Sequence, residues 1–253
     1  MRSTCAISTL LVCVFLLATS TAHGGFVIYQ EDFAASGSDQ PISIAGWNLY
    51  ITTTTGVENY TGTSVGGVST GSGIGGYAFS APRINSSYEN AGPSLFATGE
   101  APNVGIESLS ELTYTERADG SSTDRSSQRF AVKVGSQWYA SDVAYLGGTS
   151  NVGPGLPFNP VALELADWTD GSNWRELTLS VGPGGAITVA ASTVPGNLSG
   201  KVTDFGVYAT NGNNGDHFRL DDFTVTAIPE PTTLLVWSLL AGLGVGLGWR
   251  RRK

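Results

Sequence analysis

Short apolar and β-branched runs, broken by Gly, Pro, Asn and Asp, recur from Phe26 to Ala227. That spacing predicts strands joined by turns; no stretch between those limits keeps the 3.6-residue repeat of an amphipathic helix. Alternation is clearest in Phe130-Ala131-Val132-Lys133-Val134 and in Glu176-Leu177-Thr178-Leu179-Ser180-Val181, as expected for strands with one buried face. Strands are also predicted over 26–33, 47–51, 108–116, 137–140, 162–164, 186–190, 201–209 and 218–226. The Gly-, Ser- and Thr-rich span 56–76 is either a long loop or a pair of weak edge strands. Val-Gly-Pro-Gly occurs at Val152 and at Val181, which is turn chemistry and not a structural repeat. Many antiparallel strands with turn-rich connections imply an all-β fold, a jelly-roll-like antiparallel β-sandwich.

One strand contains a parity break. Phe218 and Leu220 fall on one face of the last run, whereas Phe223 and Val225 fall on the other. All four share a face only if a bulge intervenes at Asp221-Asp222, since one extra residue restores the phase.

The two ends follow a different pattern. Arg2 precedes an apolar run from Leu10 to Ala18, and Ser20-Thr21-Ala22 supplies small residues. The run is too short to span a bilayer comfortably and reads as a signal peptide, residues 1–22, cleaved by signal peptidase after Ala22. At the far end, Pro229-Glu230-Pro231 precedes an apolar segment, 232–249, closed by Arg250, Arg251, Arg252 and Lys253. As a helix that segment is ~27 Å long, enough for a transmembrane helix. The basic cluster keeps its end cytoplasmic, so the middle, an ectodomain over 23–227, lies outside.

Composition sharpens this picture. Charged residues are only 13% of the chain, with 34 Gly and 10% aromatics, which suits an extracellular β domain better than a helical bundle. The basic tail and Arg2 hold five of the 13 basic residues, while Glu230 is the one acid of 21 outside the middle. Eight basic against 20 acidic residues leave the ectodomain at net −12. Such a surface repels phosphates and excludes nucleic acid as a partner; it favours solubility and loose attraction for cations. Cys5 and Cys13 both lie in the signal peptide, so the mature chain has no disulfide or thiolate metal site.

Pro229-Glu230-Pro231, one hydrophobic helix and an Arg cluster together resemble the PEP-CTERM sorting signal of bacterial exported proteins, here over 228–253. The resemblance implies an exosortase as processing partner and a polysaccharide-rich exterior. It also implies a protein membrane-anchored first and then at the cell surface or released. A second resemblance concerns the middle. Glu31-Asp32-Phe33 followed by Gly46-Trp47 resembles the opening of jelly-roll carbohydrate-binding modules, and Phe218-Arg219-Leu220-Asp221-Asp222-Phe223 resembles their closing strand. This implies that the first and last strands pair and that Glu31, Asp32, Asp221 and Asp222 hold a structural calcium, a cation that takes several oxygen ligands. The other reading is a set of exposed strand-end acids.

Little points to catalysis. Apart from His23 at the expected new N-terminus, His217 is the only histidine, and no Gly-x-Ser-x-Gly elbow, zinc signature or phosphate loop occurs. Glu107 and Glu111 share strand parity but Glu116 does not, so they form no single-faced acid row of the glucanase kind. Aromatics are better candidates. Trp168 and Trp174 flank the polar turn Thr169-Asp170-Gly171-Ser172-Asn173; they either stack on sugars from a loop or cap the sandwich core. The expectation is an exported, noncatalytic surface or matrix protein associated with extracellular polysaccharide. Its alternatives are a carbohydrate-binding module with a defined glycan, or a divergent glycosidase or lyase.

Overall fold

The computed structural model describes residues 25–33, 39–63, 66–69, 76–80, 92–99, 102–119, 127–146, 159–210 and 217–228. The signal peptide, the Pro229-Glu230-Pro231 motif and the helix expected over 232–249 lie outside the described residues. No helix among the described residues is long and apolar enough to cross a membrane.

The first half of the chain supplies β1 (Phe26–Glu31), β2 (Trp47–Thr53), β3 (Gly56–Asn59), β4 (Gly66–Ser69), β5 (Tyr77–Ser80), β6 (Ser94–Thr98), β7 (Val104–Gly105) and β8 (Leu109–Asp119). The second half supplies β9 (Ser127–Val134), β10 (Gln137–Ser141), β11 (Tyr145–Leu146), β12 (Asn159–Leu163), β13 (Trp174–Leu179), β14 (Gly182–Pro183), β15 (Ile187–Thr193), β16 (Lys201–Thr210) and β17 (His217–Ala227). Among the described residues they form two antiparallel sheets. One has six strands in the order β12-β8-β17-β5-β4, with β1 also on β17. The other has eleven, in the order β14-β3-β2-β6-β16-β9-β10-β13-β15, with β7 on β16 and β11 on β9. The jelly-roll-like, all-β sandwich read from the pattern is the fold observed. The span 56–76 contains two strands, β3 and β4, and β4 is the edge of the six-stranded sheet.

The main core lies between the sheets, because each strand's alternate residues point to the facing sheet. Leu112, Tyr114, Phe218, Leu220, Phe223 and Val225 come from one sheet; Leu49, Phe96, Phe130, Val132, Phe205 and Val207 come from the other. Each such ring or branched side chain contributes about 1.5–3 kcal/mol on burial. A polar link crosses this core: the Tyr114 hydroxyl donates to Gln128 Oε1 at 2.6 Å, and Gln128 Nε2 donates to Glu116 Oε2 at 2.9 Å.

The bulge implied by parity is present. Asp221 pairs with Thr115 and Thr224 with Thr113, so β17 carries one extra residue there, and Asp222 has φ +50°. Aspartate tolerates that left-handed conformation better than most residues. Phe218, Leu220, Phe223 and Val225 are consequently all buried. The bulge sits where β17 exchanges one neighbour for another, pairing with β5 through Phe218–Leu220 and with β1 through Phe223–Ala227. The first and last strands are thus paired. An aromatic cluster seals the junction: Trp47 lies edge-on to Phe33 at 5.0 Å and to Phe223 at 5.1 Å, and its Nε1 donates to the Tyr29 hydroxyl at 2.7 Å.

The eleven-stranded sheet is wound on itself. β13, β14 and β15 are consecutive in sequence, yet β14 pairs with β3 at one end of the strand order while β13 and β15 lie at the other. Gly184 N–H donates to Thr55 O at 2.7 Å across this seam. The inner face of the curl carries a second apolar cluster, including Leu95, Ala131, Trp138, Leu177, Ile187 and Tyr208.

Candidate functional site

The turn between Trp168 and Trp174 is polar, with Ser172 exposed and Gly171 buried, and Asp170 caps it by accepting from Ser172 N–H at 2.9 Å. The rings themselves turn inward. Trp168 is 4% and Trp174 0% exposed, their centroids are 5.9 Å apart, and Trp174 Nε1 donates to Trp168 O at 3.0 Å. The expectation of loop-borne stacking faces is therefore corrected: both rings cap the core. Burying two indoles outweighs exposing them by several kcal/mol, so the short turn folds over them.

The structure brings Glu31, Asp32, Asp221 and Asp222 to one corner, because β1 ends beside the bulge of β17, with Glu31 opposite Phe223. Burial lifts the Asp221 carboxyl to about 7, and the charges of Asp222, Asp32 and Glu31 push it the same way. Burial also raises Glu31. Part of their bonding capacity is already used: Glu31 Oε1 accepts from Phe33 N–H and Asp221 Oδ1 from Asp222 N–H, both at 2.8 Å. Among the described residues, no three His, Cys, Asp or Glu side chains converge as a group that could hold a metal ion. The corner is an acidic patch around a bulge.

The inner face of the wound sheet presents different chemistry. On β2, Trp47, Leu49 and Ile51 point into the main core, so Asn48 and Tyr50 point to the inner side. Tyr50 packs against the second cluster and is partly exposed. Beside it, Asn59 Nδ2 donates to Asn48 Oδ1 at 3.1 Å. Lys133 and Asp204 form an ion pair at 3.1 Å, with the ammonium 5.9 Å from the Trp138 ring centre. Their charges reach the Tyr50 hydroxyl, whose pKa burial raises. An aromatic ring rimmed by amides and a charge pair offers an apolar face together with donors and acceptors. These residues escaped the sequence reading. The available signal was parity: Asn48 and Tyr50 alternate with three core residues, and Lys133 interrupts an otherwise apolar run.

Comparison with known proteins bears on the C-terminus. The PEP-CTERM protein-sorting motif matches residues 227–253. The chain thus carries that motif, which marks an exported protein handled by exosortase. The sandwich meets it without a linker: β17 ends at Ala227, and Ile228 N–H donates to Ser108 O at 2.8 Å. Among curated proteins, none matches the chain in sequence. Among solved structures, it is similar to a family 11 carbohydrate-binding module from Clostridium thermocellum in complex with a β-1,3-1,4-mixed-linked tetrasaccharide. That match has 10% identity, covers 79% of this chain and 97% of that one, and has a TM-score of 0.42. It is also similar to the family 11 module of the Clostridium thermocellum cellulosomal cellulase Lic26A-Cel5E, with 11% identity, 83% and 98% coverage, and a TM-score of 0.43. At that distance the likeness assigns this chain no ligand.

Proposed function

We propose that the chain is a noncatalytic surface or matrix protein, processed by exosortase, whose sandwich associates with extracellular polysaccharide through the inner face of the eleven-stranded sheet. The observation that carries the glycan part is the partly exposed Tyr50, rimmed by Asn48, Asn59 and the Lys133–Asp204 pair. Sugar rings stack their apolar faces on such an aromatic, and the rim completes the hydrogen bonds. One stacked ring contributes about 1 kcal/mol, so single-site affinity is weak and surface density supplies avidity. For the corner at Glu31, Asp32, Asp221 and Asp222, this reading assigns loose attraction for divalent cations, calcium included. The test is retention on the host's own polysaccharide. Tyr50→Ala, checked for folding by its melt, should bind about fivefold to tenfold more weakly than wild type. Equal retention would remove Tyr50 from the binding face, and hydrolysis of the glycan by the wild type would favour a glycosidase or lyase instead.

A further inference from the structure

The chain enters and leaves the sandwich at one place. β1 begins at Phe26 and pairs antiparallel with the end of β17, Phe26 opposite Ala227 and Val27 opposite Thr226. Ile228 N–H donates to Ser108 O at 2.8 Å, which ties the exit to the fold. At this end Phe26 and Val27 are 51% and 54% exposed. Among the described residues, Ile44, Val143 and Val181 are about as open, but each stands singly between strands, which is ordinary. Phe26 and Val27 instead form an adjacent apolar pair, on a strand whose only partner among the described residues is β17.

The sequence beyond Ile228 says what this pair meets. Only Pro229-Glu230-Pro231 separates Ile228 from the apolar segment 232–249 of the sorting motif. From Ile228 to residue 232 the chain reaches at most ~14 Å, even fully extended. The headgroup layer takes about 5–7 Å of that reach. While the segment anchors the chain in the bilayer, the exit end of the sandwich therefore stands within about 10 Å of the lipid surface. β1 lies one strand spacing from β17, about 4.8 Å, so Phe26 and Val27 are carried there with it. Charge sets which side of this end comes down. β17 separates β1 from β8, and Glu107, Glu111, Glu164 and Asp167 line one cavity on the β8 side. Carboxylates keep to water and are repelled by anionic headgroups, whereas apolar side chains gain by leaving water.

We infer that the β1 edge at Phe26 and Val27 is a membrane-docking surface: in the anchored chain it rests in the headgroup layer of the bilayer, with the acidic β8 side turned up to water. Zwitterionic lipid is the favoured partner, because the contact is apolar and the neighbouring charges are negative. Two side chains bury too little area to hold the protein alone, so docking depends on the tether that keeps them at the surface. Removal of the apolar segment by exosortase ends it.

The test uses the anchored chain, with residues 1–22 removed, reconstituted through its apolar tail into phosphatidylcholine vesicles that carry nitroxide-labelled lipid. That chain has no cysteine, so a single fluorophore is placed at Val27→Cys and, for reference, at Val143→Cys or Val181→Cys. Lipid should quench the label at 27 at least about threefold more than those at 143 and 181. Phe26→Ser should cut the quenching at 27 by about half, because the tether alone does not seat the edge. Replacing part of the lipid with anionic phosphatidylglycerol should weaken the quenching at low salt, and high salt should restore it. Melts establish that each variant is folded; should Phe26→Ser unfold, the three label positions and the anionic lipid decide. Equal quenching at all three positions, undiminished quenching in folded Phe26→Ser, or stronger quenching on anionic lipid would each overturn the inference. Energy transfer between labelled copies without quenching by lipid would overturn it too, since the β1 edge would then be covered by a second copy of the chain.

Discussion

Burial lifts the Asp221 carboxyl to about 7 against the hydrogen bond that its Oδ1 accepts from Asp222 N–H, and the charges of Asp222, Asp32 and Glu31 push it the same way as burial. An unfolded aspartate titrates near ~4, so between these values the folded chain holds the extra proton. Stability from this group is complete below about 4 and is lost as pH rises through about 7. Glu31, raised in the same direction, adds to the trend. Thermal melts from pH 5 to pH 8 should show a falling difference in Tm between wild type and Asp221→Asn, with the variant the more stable above pH 7. A difference constant with pH would show that the carboxyl is not shifted. Divalent cations should raise the wild-type Tm above pH 7, calcium and magnesium alike, by offsetting repulsion among ionised acids. A calcium-specific rise with a micromolar midpoint would instead show that the corner rearranges into a built site.

At the scale of elements, the seam that closes the eleven-stranded sheet depends on glycine. Gly56 has φ +147°, and a Cβ built there would lie 2.1 Å from Gly182 O, the backbone of β14 that pairs with β3. No side-chain rotation relieves a clash with backbone. Gly56→Ala should therefore cost more than ~2 kcal/mol in urea unfolding and loosen the surroundings of Trp138 and Tyr50, seen as a fluorescence change. Unchanged stability would mean that the hairpin tip of β13–β15 does not hold the curl. The elements were unevenly legible in the sequence. β13 and the two halves of β17 stand out because buried and more exposed residues alternate along them, which imprints the pattern. β6 is buried on both sides at Ser94–Thr98, so it carries no alternation to read, although it lies at the centre of the sheet.

For the whole molecule, the last strand runs straight into the sorting motif, so the rigid sandwich lies directly beside the segment to be processed. Loss of both apolar ends should leave a chain that begins near His23 and ends close to Pro231. Intact-mass measurement on protein from the native host checks this, and a species still ending at Lys253 in a strain with active exosortase would contradict it. The processed product keeps the acidic middle, at net −12, and the face around Tyr50.

The sequence alone determined what depends on local order. It specified the sorting tail as a contiguous pattern, the all-β class through alternation and turns, and the bulge at Asp221-Asp222 through the phase of four apolar residues. Pairing of β1 with β17 was expected only through the resemblance of the acidic-aromatic motifs at the two ends to jelly-roll carbohydrate-binding modules. Tertiary structure decided which surfaces are available. Trp168 and Trp174 sit beside a polar turn in either reading, and only the packing of β13 against the core shows that their rings are buried. Glu107, Glu111, Glu164 and Asp167 are too scattered along the chain to form a motif and become one cavity wall only when β8 and the segment after β12 are neighbours. Tyr50, Asp204 and Lys133 come to one face because β2, β6, β16 and β9, distant in sequence, are successive neighbours in the sheet. Local patterns report which side of a strand is dry, but a site depends on which distant strands become neighbours, and that follows from the closure of the whole sheet.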